Sequence, residues 1–340
     1  MIETTETDKT APIIEKHSPL RLLVAPMMDW TDRHCRYFHR LLTPNALLYT
    51  EMVTSAAIVH GDRERLLGFD AAEQPVALQL GGSDPRELAA AARIGADLGY
   101  REINLNVGCP SDRVQSGRFG ACLMREPELV GECVVAMRNA VTIPVTVKCR
   151  IGVDEQDEYA ALQRFVSVQR DAGCRVLIVH ARKAWLKGLS PKENRDVPPL
   201  NYQRVYHLKQ DFPDLDIVIN GGITNVAAVQ EHLRHVDAVM LGRAAYHDPY
   251  ILAELEHALY ATPLPSRDDV LLQMQEYIVA CRVHGISLHH ISRHLLGLYL
   301  GQPGGRIFRR YLSEHMHLSE AGSEVLANAM AATQAQRQAA

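Results

Sequence analysis

Hydrophobic residues gather in eight short runs: Leu20–Met28, Ala46–Val53, Pro75–Gly82, Glu102–Pro110, Pro144–Gly152, Arg175–Arg182, Leu215–Ile223 and Asp237–Ala245. Most are dense in Val, Ile and Leu without strict alternation, the pattern of parallel strands covered on both faces. The segments between them carry helical spacing. Asp84-Pro85 supplies an N-cap and a first-turn proline for a helix through Arg93, and Glu126-Pro127 opens another through Met137. Asp157–Asp171 and Thr224–Arg234 are further helices, and Gly99 and Gly173 stand where helices stop. Eight strand–helix units predict an α/β fold, a (β/α)8 TIM barrel. A doubly wound open sheet is the competing arrangement, but no G-x-G-x-x-G follows the first strand and the unit count is eight.

The pattern changes after about Ile251. Ala261-Thr-Pro-Leu-Pro-Ser266 is rich in turn residues, and from Arg267 onward only helical periodicity remains, broken once at Pro303-Gly-Gly305. This predicts a small all-α helical bundle behind the barrel. The expected division is a disordered N-terminal tail over 1–18, the barrel over 19–255, the helical domain over 256–330, and an Ala/Gln-rich C-terminal tail over 331–340 that frays.

Composition narrows the classes. The chain has 340 residues, 47% hydrophobic and 22% charged, which suits one large globular domain plus a smaller one. A net charge of -4 gives no bulk signature of a nucleic-acid binder, so only a local basic patch could serve that role. Seven cysteines with no C-x-x-C pair point to reduced thiols and a cytoplasmic protein. Met1–His17 is polar and lacks the apolar core of a signal peptide, and no apolar run approaches the roughly 18 residues of a membrane helix. No Cys/His/carboxylate cluster has metal spacing, so no metal is expected.

In a (β/α)8 barrel the active site lies at the C-terminal strand ends. Here those ends carry Pro26-Met27-Met28, Glu51, Gln79-Leu-Gly-Gly82, Asn106 with Cys109, Lys148 with Arg150, His180 with Arg182, Asn220-Gly221-Gly222, and Gly242-Arg243. A lone histidine or lysine there is more often structural; eight polar or glycine-rich ends together are not. The ends of strands 7 and 8 suit a phosphate, since glycines admit close backbone N–H groups and Arg243 adds a cation. Gln79 can meet a ring edge, Lys148 can stabilise negative charge, His180 can reach a ring oxygen or phosphate, and Met27 and Met28 offer polarizable surface. Flavin mononucleotide (FMN) needs this set. Cys109 alone reads equally as an inert buried cysteine. Beside a flavin it becomes a general acid that protonates carbon as hydride reaches the neighbouring carbon.

The loop after strand 6 carries Arg182, Lys183, Lys187, Lys192 and Arg195 against one acid, Glu193, and includes Trp185. Cations with an aromatic on an active-site rim suit a phosphate backbone with a base drawn out of its stack. In the helical region Arg306, Arg309 and Arg310 share one helical face. Either cluster alone is more often a solvated face.

At these residues the chain resembles the tRNA-dihydrouridine synthases, A subgroup, from Leu22 to about Leu318. The matching stretches are Ala25-Pro-Met-Met-Asp-Trp-Thr-Asp32, Gln79–Gly82, Asn104-Leu-Asn-Val-Gly-Cys-Pro-Ser111, Lys148-Cys-Arg-Ile-Gly152, His180–Leu186, Leu189–Arg195 and Asn220–Gly222. The resemblance implies a flavin barrel with a helical tRNA-binding domain. It implies reduction of D-loop uridines at positions 20 and 20a of tRNA, with NADPH as reductant. Carried over residue by residue, it implies that Pro26, Met27, Met28, Gln79, Lys148, His180, Asn220, Gly221, Gly222, Gly242 and Arg243 hold FMN. Cys109 would give the proton to C5 while hydride reaches C6. Asn106 would touch the target nucleotide, and Lys192, Arg195, Arg306 and Arg309 would orient the tRNA. Two other readings compete: a flavin-dependent reductase of a free pyrimidine or small enone, and a non-catalytic tRNA-binding protein.

Overall fold

The computed structural model describes residues 21–338, Asp157 excepted. The expected tail over 1–18 lies outside the described residues. The eight apolar runs form strands β1 (Leu22–Val24), β2 (Leu47–Thr54), β3 (Val76–Gly81), β4 (Glu102–Val107), β5 (Val145–Arg150), β6 (Val176–His180), β7 (Asp216–Asn220) and β8 (Ala238–Leu241). Each pairs in parallel with its sequence neighbours and β8 closes onto β1, giving a closed barrel in sequential order. The expected (β/α)8 fold is present. Closure brings all eight C-terminal ends to one mouth.

Side chains alternate along each strand. On β4, Ile103, Leu105 and Val107 point outward into the core shared with the helices, while Glu102, Asn104 and Asn106 are buried on the other face. The helix Pro85–Asp97 starts as the sequence predicts, with the Asp84 carboxylate accepting the N–H groups of Arg86 and Glu87. It lies so close to the sheet that a Cβ at Gly95 would stand 2.7 Å from Leu78 Cδ2 and 2.9 Å from Ile103 Cδ1. Glycine there sets how tightly the helix seats.

Two expected boundaries fall within helices. The helix Ile251–Tyr260 packs on the barrel helices Arg33–Leu42 and Val226–His232, so a break at 255/256 falls inside it. Its Glu256 is buried and accepts N–H groups from Asn45 and Ala46, which ties it to the start of β2. The helical region therefore begins after Ala261, whose left-handed φ of 56° ends the helix. The segment from 331 continues the helix Ser323–Gln338. Thr333 is buried against Gly304, where a Cβ would lie 2.9 Å from its Cγ2, and Arg337 Nε donates to Pro303 O at 3.2 Å. The glycine pair that breaks the helical pattern is what lets this last helix approach.

The helical region docks on the barrel through the loop after β1. Asp32 caps the helix Arg33–Leu42 by accepting Cys35 N–H, and the same carboxylate takes Arg293 Nη2 at 2.6 Å and His294 Nε2 at 3.1 Å. Tyr277 stacks on Tyr37 at 3.9 Å and its hydroxyl meets His34 Nδ1 at 2.8 Å.

Deep in the barrel, burial pushes the Glu102 carboxyl up to about 7, although Thr146 and Tyr49 donate to it. The folded chain keeps a proton there that the unfolded chain releases from its ordinary value of 4.5 upward. Stability from this group thus falls as pH rises from about 4.5 to 7, and the full penalty stands above that. We predict that Glu102→Gln melts near wild type at pH 5 and about 3 °C or more above it at pH 8. Thermal melts across that window check it; a difference independent of pH would refute it.

Candidate active site

The strand ends enclose a cavity of about 570 Å³ at the barrel mouth. Every residue expected to hold a cofactor lines it: Pro26, Met27, Met28, Gln79, Lys148, His180, Asn220, Gly221, Gly222, Gly242 and Arg243. So do Cys109, Asn106 and Arg195, whereas Lys192, Arg306 and Arg309 are exposed outside it. Trp185 is not among the lining residues either; Lys183 Nζ stands over its ring at 4.2 Å. Its loop is pinned by buried Asn194, which accepts Trp185 N–H and donates to the carbonyls of Trp185 and Leu189.

At the β7–β8 end, Gly221 and Gly222 adopt φ values of 116° and 70°, a region that favours glycine. A Cβ on Gly222 would lie 2.6 Å from Leu200 Cδ1. Among the described residues, the N–H groups of Gly221, Gly222, Ile223 and Thr224 have no partner within the chain. They line the cavity just before the helix Val226–His232, which Asn225 caps. Free backbone donors of this kind receive anions. Arg243 is less free than its position suggested, since Asp196 grips it at 2.6 and 3.2 Å. Asp196 is a partner that sequence reading missed.

The β5–β7 wall is cationic. Lys148 Nζ donates to Asn220 Oδ1 at 3.1 Å, and Asn220 Nδ2 donates to Met240 O at 2.8 Å, so the amide aims the ammonium. Burial, and then the charge of Arg150, pull Lys148 down to about 8. Burial likewise brings Arg150 down to about 10. Arg150 was noted only as a strand end, yet it is a buried clasp: it donates to Gly108 O at 3.1 Å, Asn194 O at 2.9 Å and Lys183 O at 3.4 Å. It joins the cysteine loop to the basic loop. His180 is held neutral, its value pushed well below the usual range by burial and then by Arg150 and Lys148. Arg182 N–H, donated mainly to His180 O at 2.8 Å, also reaches the ring Nδ1 at 3.3 Å, which favours the tautomer with the proton on Nε2.

Cys109 is partly exposed at the cavity wall, and its Sγ lies 3.5 Å from Ser111 Oγ. No histidine stands within hydrogen-bond distance of that sulfur among the described residues, which leaves no base to activate it as a nucleophile. Its loop is shaped by Asn106, whose Oδ1 accepts Gly108 N–H at 3.1 Å and Cys109 N–H at 3.0 Å. Asn106 Nδ2 donates to Gln79 Oε1, and Gln79 Nε2 donates to Asn104 Oδ1, both at 2.8 Å. The two amides expected to meet ligand are thus largely occupied by each other, with one N–H left on each. Cys149 is fully buried in the outer core, facing away from the cavity as strand alternation requires. No group of three or more metal-ligating side chains occurs among the described residues.

Residues 23–337 match the family model described as dihydrouridine synthase, so the chain belongs to that family. It is 61% identical over 323 residues to the tRNA-dihydrouridine(20/20a) synthase of Xanthomonas campestris pv. campestris, covering 94% of this chain and 96% of that protein. The protein of the same name from Synechocystis sp. is 59% identical over 313 residues, covering 92% and 94%. That from Vibrio cholerae is 55% identical over 314 residues, covering 92% and 96%.

The lowered Lys148 gives the site a measurable signature. A phosphate-bearing heterocycle such as FMN would favour the charged ammonium and raise its value from about 8. Binding at pH 8 should therefore take up as much as about half a proton. Titration calorimetry in two buffers of different ionisation enthalpy reads this, and Lys148→Met should remove it. Buffer-independent heats in the wild type would contradict the assignment.

Proposed function

We propose that this member of the dihydrouridine synthase family reduces the C5–C6 double bond of uridines 20 and 20a in the D-loop of tRNA, giving 5,6-dihydrouridine. The observation that carries the mechanism is a thiol without a base, Cys109, on the wall of a cavity whose opposite end offers free backbone N–H groups.

The donor set suits FMN. The N–H groups of Gly221 to Thr224, with Gly242 and Arg243, would take the phosphate. A Cβ at Gly242 would meet nothing closer than 3.9 Å, so the backbone there lies open to a ligand. Lys148, aimed by Asn220, and the Nε2–H of neutral His180 would meet the polar edge of the ring system. Gln79 has one remaining N–H for it, and Pro26, Met27 and Met28 offer the apolar flank. Bound FMN would supply hydride equivalents taken from NADPH.

The chain's own work is then proton delivery and substrate placement. The Cys109 Sγ–H bond breaks and its proton goes to C5 as a hydride reaches C6, so both carbons become saturated. The thiolate left behind regains a proton from solvent, with the Ser111 hydroxyl 3.5 Å away as a local donor. Asn106 keeps one N–H for a uracil carbonyl. The backbone of the tRNA would lie across Lys192 and Arg195 at the rim and Arg306 and Arg309 on the exposed face of the helix Gly305–His315. Arg195 would serve both sides, since it also lines the cavity. From a tRNA substrate we infer a cytoplasmic location. No helix of the described chain is long and apolar enough to cross a membrane.

Cys109→Ala should lower dihydrouridine formation about a hundredfold or more while flavin stays bound and reducible by NADPH. Mass-spectrometric counting of dihydrouridine in whole tRNA reads this; turnover like the wild type would refute the proton-donor role. Activity on free uridine but not on tRNA would replace the reading with a small-molecule reductase. Replacing Arg306 and Arg309 with Ala should weaken tRNA binding and lower the salt slope by about 1–2. A slope unchanged by the double substitution would move the RNA surface elsewhere.

A further inference from the structure

We propose that Thr146 and Asn104 are positioning residues for Cys109, acting through a one-way column of hydrogen bonds inside the barrel. The inference rests on the proton-donor reading of Cys109.

Barrel interiors are ordinarily filled with branched apolar side chains. Half of this interior is: Leu23, Leu47, Ile178, Val218 and Met240 form an apolar cluster there. The half beneath the cysteine loop is not. Gln79, Asn104 and Thr146 are 0–1% exposed, and Glu102 and Asn106 no more than 8%. Buried polar groups are costly unless they are paired. These are paired in an unbroken series. Thr146 Oγ1 donates to Glu102 Oε1 at 2.6 Å, and Asn104 Nδ2 donates to Thr146 Oγ1 at 2.8 Å. Gln79 Nε2 then donates to Asn104 Oδ1, and Asn106 Nδ2 to Gln79 Oε1. Asn106 Oδ1 ends the series by accepting Gly108 and Cys109 N–H.

The direction of this series is fixed at both ends. At the base, Thr146 spends its only O–H on Glu102, which leaves its oxygen to accept from Asn104. Each amide above must then present its oxygen downstream and its NH2 upstream. At the top, two backbone N–H groups demand an oxygen, and Asn106 has one to offer only in this orientation. Removing the Thr146 hydroxyl takes away the acceptor that orients Asn104. Asn104 and Gln79 can then reverse together. A reversed Gln79 turns its NH2 toward that of Asn106, and a reversed Asn106 turns its NH2 toward the N–H groups of the cysteine loop. The turn that carries the thiol loses its hold. Small displacements of a reacting group cost large factors in rate.

The test compares Thr146→Val, which keeps the shape, with Thr146→Ser, which keeps the hydroxyl, and runs Cys109→Ala beside them. Two readouts are taken on the flavin-loaded full chain. One is kcat and KM for whole tRNA; the other is hydrogen exchange of the Gly108 and Cys109 amides by mass spectrometry. The expected result for Thr146→Val is a kcat about tenfold lower or worse, a KM within about twofold of wild type, and faster exchange confined to the cysteine loop. Thr146→Ser restores both. Wild-type kcat and exchange in Thr146→Val would overturn the inference. So would equal loss in the valine and serine variants, or loss of the folded barrel in Thr146→Val, because either makes the residue one of packing. If Cys109→Ala is itself fully active, it is the underlying reading of the thiol that fails.

Discussion

The turn after β4 is held by a single amide oxygen. Asn106 Oδ1 takes the N–H groups of Gly108 and Cys109, and the direction in which the thiol leaves the strand follows from that grip. Two further ties act on the Gly108 and Cys109 peptides themselves. Arg150 holds Gly108 O, and Ala121 N–H holds Cys109 O at 2.9 Å. All three act on the backbone, so Sγ remains free to face the cavity with Ser111 as its near neighbour. A thiol proposed to give up a proton would be better served by a rigid main chain than by a strong partner at sulfur, which would compete for that proton.

The electrostatics of the mouth are unbalanced in the folded chain. Lys148 is half-buried and Arg150 buried, and among the described residues neither is paired with a carboxylate; an amide and backbone carbonyls satisfy them instead. Burial lowers both groups, which measures how poorly the folded chain alone accommodates their charge. Arg182 and Arg195 add to the field that keeps His180 neutral. Asp196, an acid of the loop after β6, is held by Arg243 at the rim. Such an arrangement is relieved by an anion, which is what both a phosphorylated cofactor and an RNA backbone bring.

Most of this was legible in the chain because it depends on local order. Short apolar runs at regular intervals gave the strands, and reading only their C-terminal ends collected the cavity wall without any knowledge of distance. The family resemblance then supplied roles that geometry alone leaves open. What stayed hidden were pairings between strands. Gln79 and Asn106 each look ready for a ligand, and nothing in either segment says that they bond to each other. Arg243 looks like a free cation until Asp196, from a loop 47 residues earlier, is placed beside it. The Ala/Gln-rich end looks too weak to hold a helix, and it is held by Gly304 and Pro303, whose sequence signal reads as a break.

One carboxylate makes the two parts of the molecule mechanically continuous. Asp32 ends the loop that carries Met27 and Met28 into the cavity, caps the first barrel helix, and accepts both Arg293 and His294 from the helical region. Burial alone would push its carboxyl up, but the hydrogen bonds from His294, Cys35 N–H and Arg293 outweigh it and hold the group well below the usual carboxylate range. It stays charged, and its ties stay intact, throughout the neutral range. The loop between is equally constrained: Thr31 Oγ1 accepts Met27 N–H, Asp29 sits at a left-handed φ of 65° with its N–H on Glu51, and Trp30 stacks on Tyr246 at 4.4 Å. A helical region seated this way cannot shift without moving the methionine flank of the cavity. On the proposed reading, RNA held on its arginine face would therefore be registered against the barrel mouth by packing, and the contacts that orient it would also shape the methionine flank of the cavity.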